Sequence, residues 1–210
     1  MSMKYYNGLD GLRAVSLLLV LFYHVNFTPF INGFLGVDIF FAISGFIISR
    51  NILLQIENKT FSILSFYKRR FARLYPALLA TIGITLFSAY LIFPINDINE
   101  ISRSAIRALH SFSNFCFNQQ SGYFEESAYV KPLLHTWSLG VEEQFYLIWP
   151  ILLVFLTKFK RNIFLSLCLV FISCISLYSV IVIKSDWESE AFFLMPFRIY
   201  QFGIGALAYL

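Results

Sequence analysis

The length of its apolar runs constrains this chain more than any other feature. Leu12–Phe30, Phe34–Leu54, Leu74–Phe93, Leu139–Leu156 and Ile163–Ile183 each approach the roughly 20 mainly apolar residues that cross a bilayer as a helix. A sixth run begins near Phe192 and reaches Leu210. Lipid offers the backbone no hydrogen-bond partners, so such runs must be helical. The expected fold is all-α, a polytopic transmembrane bundle of about six spans. Composition agrees: 58% of residues are hydrophobic and 13% are charged, where a soluble domain carries about a quarter charged.

The net charge is +4. On a soluble protein that would raise nucleic acid as a partner. Here the bases fall in short loops between apolar runs, where they set topology, so no nucleic-acid partner is expected. The segment Ser49–Arg73 carries Arg50, Lys59, Lys68, Arg69, Arg70 and Arg73 against Glu57 alone. Thr157–Asn162 carries Lys158, Lys160 and Arg161 with no acid. Both read as cytoplasmic. The turn Thr28–Gly33 is uncharged and Lys184–Glu190 is mostly acidic, so both read as external. The stretch Ile101–Gln119 is amphipathic, with Arg103, Arg107 and His110. If it spanned, the basic Lys158–Arg161 loop would move outside. It is therefore expected to be an interfacial or re-entrant helix on the outer side, with the N-terminus cytoplasmic.

The first run lacks a small-x-small cleavage site and is expected to stay in the mature protein. The last run stops without a polar flank, which suggests that further helices follow. Cys116, Cys168 and Cys174 have no metal-ligand spacing, and no metal or bound cofactor is expected.

Ionisable residues inside spans are costly and mark functional candidates. His24 follows seven apolar residues on the first run, and Arg13 lies eleven residues before it. Eleven residues turn about 1100° and rise about 16 Å, so the two share one face near opposite ends of a helix. Asp38 opens the second run, and is expected at the depth of His24, where a carboxylate would fix the imidazole tautomer. Ser44 and Gly45 follow, with Gly45 suited to close helix approach. His135, Trp137, Ser138, Glu142 and Glu143 gather at the start of the fourth run. Ser138 and Glu142 resemble a capping pattern. The adjacent acids point about 100° apart, so at most one faces a given site. The other is expected to pair with a base such as Arg198. The run KRRFAR, Lys68–Arg73, suits an anionic donor, because arginines grip phosphate with two parallel bonds.

These segments together resemble the acyltransferase 3 family of integral membrane O-acyltransferases. The matching text is YNGLDGLRAVSLLLVLFYH, FLGVDIFFAISGFIIS, FYKRRFARLYPAL, SGYF, KPLLHTWSLGVEEQFYLIWP and PFRIYQFGIGALAYL, in that order. The resemblance implies that Arg13 and His24 form the family's first-helix motif, with His24 catalytic. It matches Arg70 and Arg73 to the family's arginine pair, and Glu142 and Glu143 to its acidic motif. It further implies that the chain, as one domain over residues 1–210, is the first part of a domain of roughly ten helices. Gln201 departs from the pattern, which often has glutamate there.

The implied activity is transfer of an acyl group, expected to be acetyl, from cytoplasmic acyl-CoA as co-substrate. The acceptor is a hydroxyl of a cell-surface carbohydrate such as lipopolysaccharide O-antigen or exopolysaccharide. In this reading His24, Asp38, Glu142 and Glu143 serve catalysis, and Arg13, Arg70 and Arg73 bind the donor. His135, Trp137, Ser138 and Arg198 lie on the acceptor side. The expected location is the bacterial cytoplasmic membrane, crossed several times, with the bilayer, acyl-CoA and the carbohydrate as partners. Two other readings are a glycan-precursor transporter or flippase, and an inactive membrane fragment.

Overall fold

The structure, a computed structural model, describes residues 7–120, 131–158, 162–182 and 188–210. Lys160, Arg161, Lys184 and the SGYF segment lie outside these, as does the side chain of Cys168. The described residues are helical, in the order α1 (Asn7–His24), α2 (Gly36–Glu57), α3 (Ile63–Ile92), α4 (Ile95–Leu109), α5 (Ser113–Gln120), α6 (Thr136–Thr157), α7 (Asn162–Val182), α8 (Glu188–Phe193) and α9 (Met195–Leu207). Short 3-10 turns at Thr28–Phe30 and Gly33–Leu35 join α1 to α2.

Among the described residues, three helical segments are long and apolar enough to cross a membrane: Gly33–Glu57, Ile63–Ile92 and Thr136–Thr157. Their outward surfaces fit lipid. Ile84, Phe87, Tyr90, Leu91 and Ile92 on α3 are exposed, as are Leu17, Leu18 and Leu21 on α1 and Phe171, Tyr178 and Ile181 on α7. So much exposed apolar side chain on long apolar helices marks a membrane protein.

Several boundaries differ from the sequence expectation, each for a local reason. The first run ends as helix at His24 because Asn26 takes a positive φ of 53° and Pro29 follows. The third helix begins at Ile63 rather than Leu74, where Ser62 caps it by accepting from the Ser65 amide. The basic run 68–73 is therefore helix, not loop. Residues 101–119 divide between two helices, broken where Ser111 takes a φ of 62°. The final run breaks before Met195 and Pro196, leaving α9 with 13 residues, short of the roughly 20 that span a bilayer. Ser138 does not cap α6, which starts at Thr136 with His135 at its N-cap. Ser138 Oγ instead donates to the His135 carbonyl at 3.2 Å.

Packing centres on α2, α6 and α9. Phe202 of α9 stacks on Phe41 of α2 at 4.7 Å and on Phe145 of α6 at 4.0 Å. Trp149 continues the stack from Phe145 at 4.7 Å and donates its indole N–H to Ser49 Oγ at 2.7 Å. Lipid tails are as apolar as these rings, so close contact rather than transfer from water holds the helices. Gly45 makes that contact possible. A Cβ there would strike the Phe202 carbonyl, and a Cβ on Gly205 would strike the Ala42 carbonyl. The two backbones touch at a reciprocal glycine crossing. Around this centre α7 packs on α9, α1 on α2, α5 on α6 and α4 along α3. Tyr75 OH, near the middle of α3, reaches the Leu109 carbonyl at the end of α4 at 2.9 Å. So α4 runs back along α3 and brings the α4–α5 turn inward.

Candidate functional site

The second turn of α6 carries the two adjacent acids, which diverge around the helix. Glu142 faces α2 and accepts from Ser44 Oγ and, one turn on, from Tyr146 OH. Glu143, 7% exposed, faces the α4–α5 turn and accepts from Ser111 Oγ. The strained Ser111 is fixed twice, since its carbonyl also accepts from Gln144 Nε2 at 2.9 Å. Gln144 reaches Asn114 Oδ1 at 2.8 Å, and Asn114 Nδ2 donates to the Phe193 carbonyl at 3.1 Å. One polar network thus ties the α4–α5 turn to α6 and α8.

Because α3 begins early, Arg70 lies alongside α6. Tyr67 OH, one turn into α3, donates to the Leu147 carbonyl midway along α6 at 2.8 Å. The Arg70 guanidinium sits 4.9 Å from the centre of the Tyr146 ring and 5.6 Å from that of Phe66. A cation over a ring face is stabilised by the ring's quadrupole. Glu142, Arg73 and Arg13 all lie within electrostatic reach of Arg70. Arg13 also meets Asp10 at 3.4 Å at the start of α1. The fold therefore brings the other two arginines singled out in the sequence within electrostatic reach of Arg70. A cavity of about 180 Å³ opens beside Arg70, between α3, α6 and the α4–α5 turn. Arg70, Ser111 and Glu143 supply its polar lining, and Tyr75, Tyr146 and Leu147 much of the rest.

A second polar centre lies across α2. Asp38 accepts from Arg198 Nη1 at 2.9 Å. Arg198 Nε donates to the Phe192 carbonyl at 2.9 Å, and its guanidinium lies over the rings of Phe192 and Trp137 at 4.8 and 5.7 Å. This corrects two expectations. Arg198 was expected to pair with one of the acids on α6; it pairs with Asp38, while those acids take hydroxyl donors. Asp38 was expected level with His24. A Cβ on Gly33 would meet Leu19 and Tyr23 of α1, and one on Gly36 would meet Ser16 and Val20. Asp38 lies further along the same direction, toward the Arg13 end of α1.

His24 ends α1, which is continuous from Asn7, so Arg13 and His24 keep their common stripe. His135, at the start of α6, lies within electrostatic reach of His24. The protein packed around His135, and then the His24 charge, hold its imidazole below the usual value, while the Pro132 carbonyl works against them. Among the described residues no group of three His, Cys, Asp or Glu stands together as a metal site would need.

The sequence reading passed over Ser111, Tyr75 and Tyr146, and gave Ser44 a minor role. Tyr146 had a signal: it lies four residues after Glu142, one turn along the same helix face. Ser111 had none, since its place depends on a backbone break.

The chain is 38% identical over 210 residues to an O-acetyltransferase OatA of Staphylococcus aureus (strain NCTC 8325 / PS 47), covering 98% of this chain and 34% of that protein. It is 39% identical over 164 residues to the peptidoglycan O-acetyltransferase OatA of Listeria monocytogenes serovar 1/2a, covering 77% of this chain and 26% of that protein. An uncharacterized protein of Haemophilus influenzae (strain Rd) is 34% identical over 176 residues, covering 81% of this chain and 72% of that protein. The chain thus spans about a third of the length of the OatA proteins it matches. No solved structure matches it. Residues 6–210 match the family profile described as an acyltransferase domain, and the chain belongs to that acyltransferase 3 family.

Proposed function

We propose that this chain is the acyl-handling part of a membrane O-acetyltransferase whose acceptor is a cell-surface glycan. The observation that carries the reading is Arg70 lining a cavity set among apolar helices, with Arg13, Arg73 and Glu142 within its electrostatic reach. A guanidinium that lines a cavity suits an anionic donor such as acyl-CoA, because arginine grips phosphate with paired bonds. The names of the relatives support acetyl as the group and a glycan as the acceptor, with peptidoglycan named for the Listeria protein. Lipopolysaccharide or exopolysaccharide would offer the same hydroxyl chemistry.

In this mechanism His24 takes the proton of the acceptor hydroxyl as its oxygen attacks the thioester carbonyl. The carbon–sulfur bond breaks, and the thiol leaves with a proton. An acyl-histidine relay gives the same balance in two steps. The donor enters from the cytoplasm at the Arg13 end of α1, and the acceptor meets His24 at the other end. Such an enzyme resides in the cytoplasmic membrane with its N-terminus inside.

The test replaces His24 with Ala in the full-length protein and measures O-acetyl groups on surface glycan by mass spectrometry. General acid–base catalysis contributes about 10²–10⁴-fold, so transfer should drop by that much while the protein stays inserted. Undiminished acetylation would end the proposal.

A further inference from the structure

We propose that the exposed cations Lys59, Lys68 and Arg69, around the turn that joins α2 to α3, bind the headgroup of an anionic phospholipid. The inference goes beyond the transfer reaction and needs only that α3 crosses a bilayer. Gln55, in the last turn of α2, brings the three together. Its carbonyl accepts from the Thr60 and Phe61 amides at 2.8 and 3.1 Å, which folds the turn back beside it and places Lys59 there. Its side-chain Oε1 accepts from Arg69 Nη2 at 3.4 Å, and Lys68 precedes Arg69 on α3. Among the described residues the ion pairs are Arg13–Asp10 and Arg198–Asp38, so no carboxylate closes on this group. The basic run 68–73 is thereby divided. Arg70, half-buried, lines the cavity with Arg73 in reach of it, while Lys68 and Arg69 are exposed beside Lys59.

Depth and neighbours distinguish lipid from water as the surroundings of these cations. α3 has 30 residues, about 45 Å of helix against a hydrocarbon core of about 30 Å. Its apolar part, residues 74–92, fills about 28 Å of that core. Lys68 and Arg69 stand six and five residues before Leu74, so they lie about 8 Å outside it. The headgroup layer on each face is about 5–8 Å deep, and lipid phosphates lie in it. Leu64 and Phe71, 64% and 58% exposed, sit one turn to either side of Lys68. Water would gain nothing from those two side chains, whereas a lipid covers them with its upper acyl chain while its phosphate meets the cations. Arginine grips phosphate with paired N–H bonds. A zwitterionic headgroup carries a cation of its own, which this group repels, so the site selects a lipid of net negative charge.

The test purifies the full-length protein in a neutral detergent, adds dioleoyl phosphatidylglycerol or dioleoyl phosphatidylcholine, and counts bound lipid by native mass spectrometry. Each cation near an anionic surface is worth about fivefold, so the unaltered protein should hold phosphatidylglycerol about a hundredfold more tightly. Lys59→Gln, Lys68→Gln and Arg69→Gln combined should erase that preference, and Arg103→Gln, exposed on α4, should keep it. Should the triple variant fail to fold, Lys68→Gln alone carries the test, since Lys68 forms no ion pair among the described residues. It should weaken phosphatidylglycerol about fivefold. Acetyl-CoA added at saturation separates the two sources of phosphate. Lipid that stays bound supports the site, and lipid that acetyl-CoA displaces would give the cations to a free nucleotide and overturn it. Equal retention of the two lipids by the unaltered protein, or a preference that the Gln variants keep in full, would overturn it as well. None of these measurements needs acyl transfer, so the lipid site stands or falls apart from the enzyme reading.

Discussion

Asp38 and Glu142 are both carboxylates set into apolar helices, and the chain treats them in opposite ways. Asp38 is matched one to one: Arg198 closes on it, and Phe192 and Trp137 cover the guanidinium. Glu142 takes two hydroxyl donors, Ser44 and Tyr146, while the nearby Arg70 rests over the Tyr146 ring. The first arrangement satisfies its charges internally and joins α2 to α9. The second leaves an arginine facing a cavity without a direct carboxylate contact among the described residues, which is how a binding site holds charge in reserve for a ligand. The contrast teaches that an intramembrane charge is not by itself a catalytic residue; its partner decides.

The largest expected effect breaks the closed pair. Removing one member of a buried ion pair leaves an uncompensated charge and costs about 3–5 kcal/mol. Asp38→Ala should therefore lower the unfolding temperature of the detergent-purified protein steeply, and Arg198→Ala should match it. Asp38→Leu combined with Arg198→Met should recover most of the loss, because no lone charge remains. If Asp38→Ala unfolds as late as the unaltered protein and is inactive, Asp38 belongs to the chemistry and the contrast fails.

The open site should respond in the other way. Arg70→Lys keeps a charge but loses the planar face that lies over Tyr146 and the paired donors that suit phosphate. Acetyl transfer should fall about a hundredfold, comparable to the loss of an electrostatic donor in an active site, with the unfolding temperature nearly unchanged. Equal losses of activity and stability would make Arg70 a second structural cation.

A smaller effect tests the crossing that holds the two regions in register. Gly205→Ala places a methyl against the Ala42 carbonyl. Overpacking of this kind costs about 1–3 kcal/mol, seen as a lowered unfolding temperature. Gly83→Ala, on α3 with open space around it, should be neutral or slightly stabilising.

These contrasts also mark what the sequence could show. The helical character of α2, α6 and α7 was legible because apolar length alone sets it. The divergence of Glu142 and Glu143 followed from helix geometry. Gly45 was legible as a contact point, though not its partner Gly205. The start of α3 was misread because KRRFAR looks like a basic loop; its helical state depends on the Ser62 cap and on Arg70 finding Tyr146. The Asp38–Arg198 pair joins residues 160 positions apart, and no local pattern encodes that meeting. Ser111 reaches Glu143 only because the chain breaks between α4 and α5.

The smallest effect is a pH dependence at the outer edge of the closed pair, where His135 precedes Trp137 by two residues. Its imidazole is held below the ordinary value by the surrounding protein and by His24. A free histidine titrates near about 6.5, so below that pH the unfolded chain binds a proton that the folded protein resists. Stability then rises with pH across this window and is lost as the pH falls through it. Unfolding temperatures measured at pH 5.5 and pH 7.5 should show a drop on the acid side for the unaltered protein. His135→Gln removes the group that titrates and should shrink that drop, and His24→Gln should shrink it partly by removing one contributor to the shift. An acid-side drop that His135→Gln leaves at full size would assign the dependence to carboxylates instead, and the two histidines would no longer be electrostatic neighbours in any sense that stability can read.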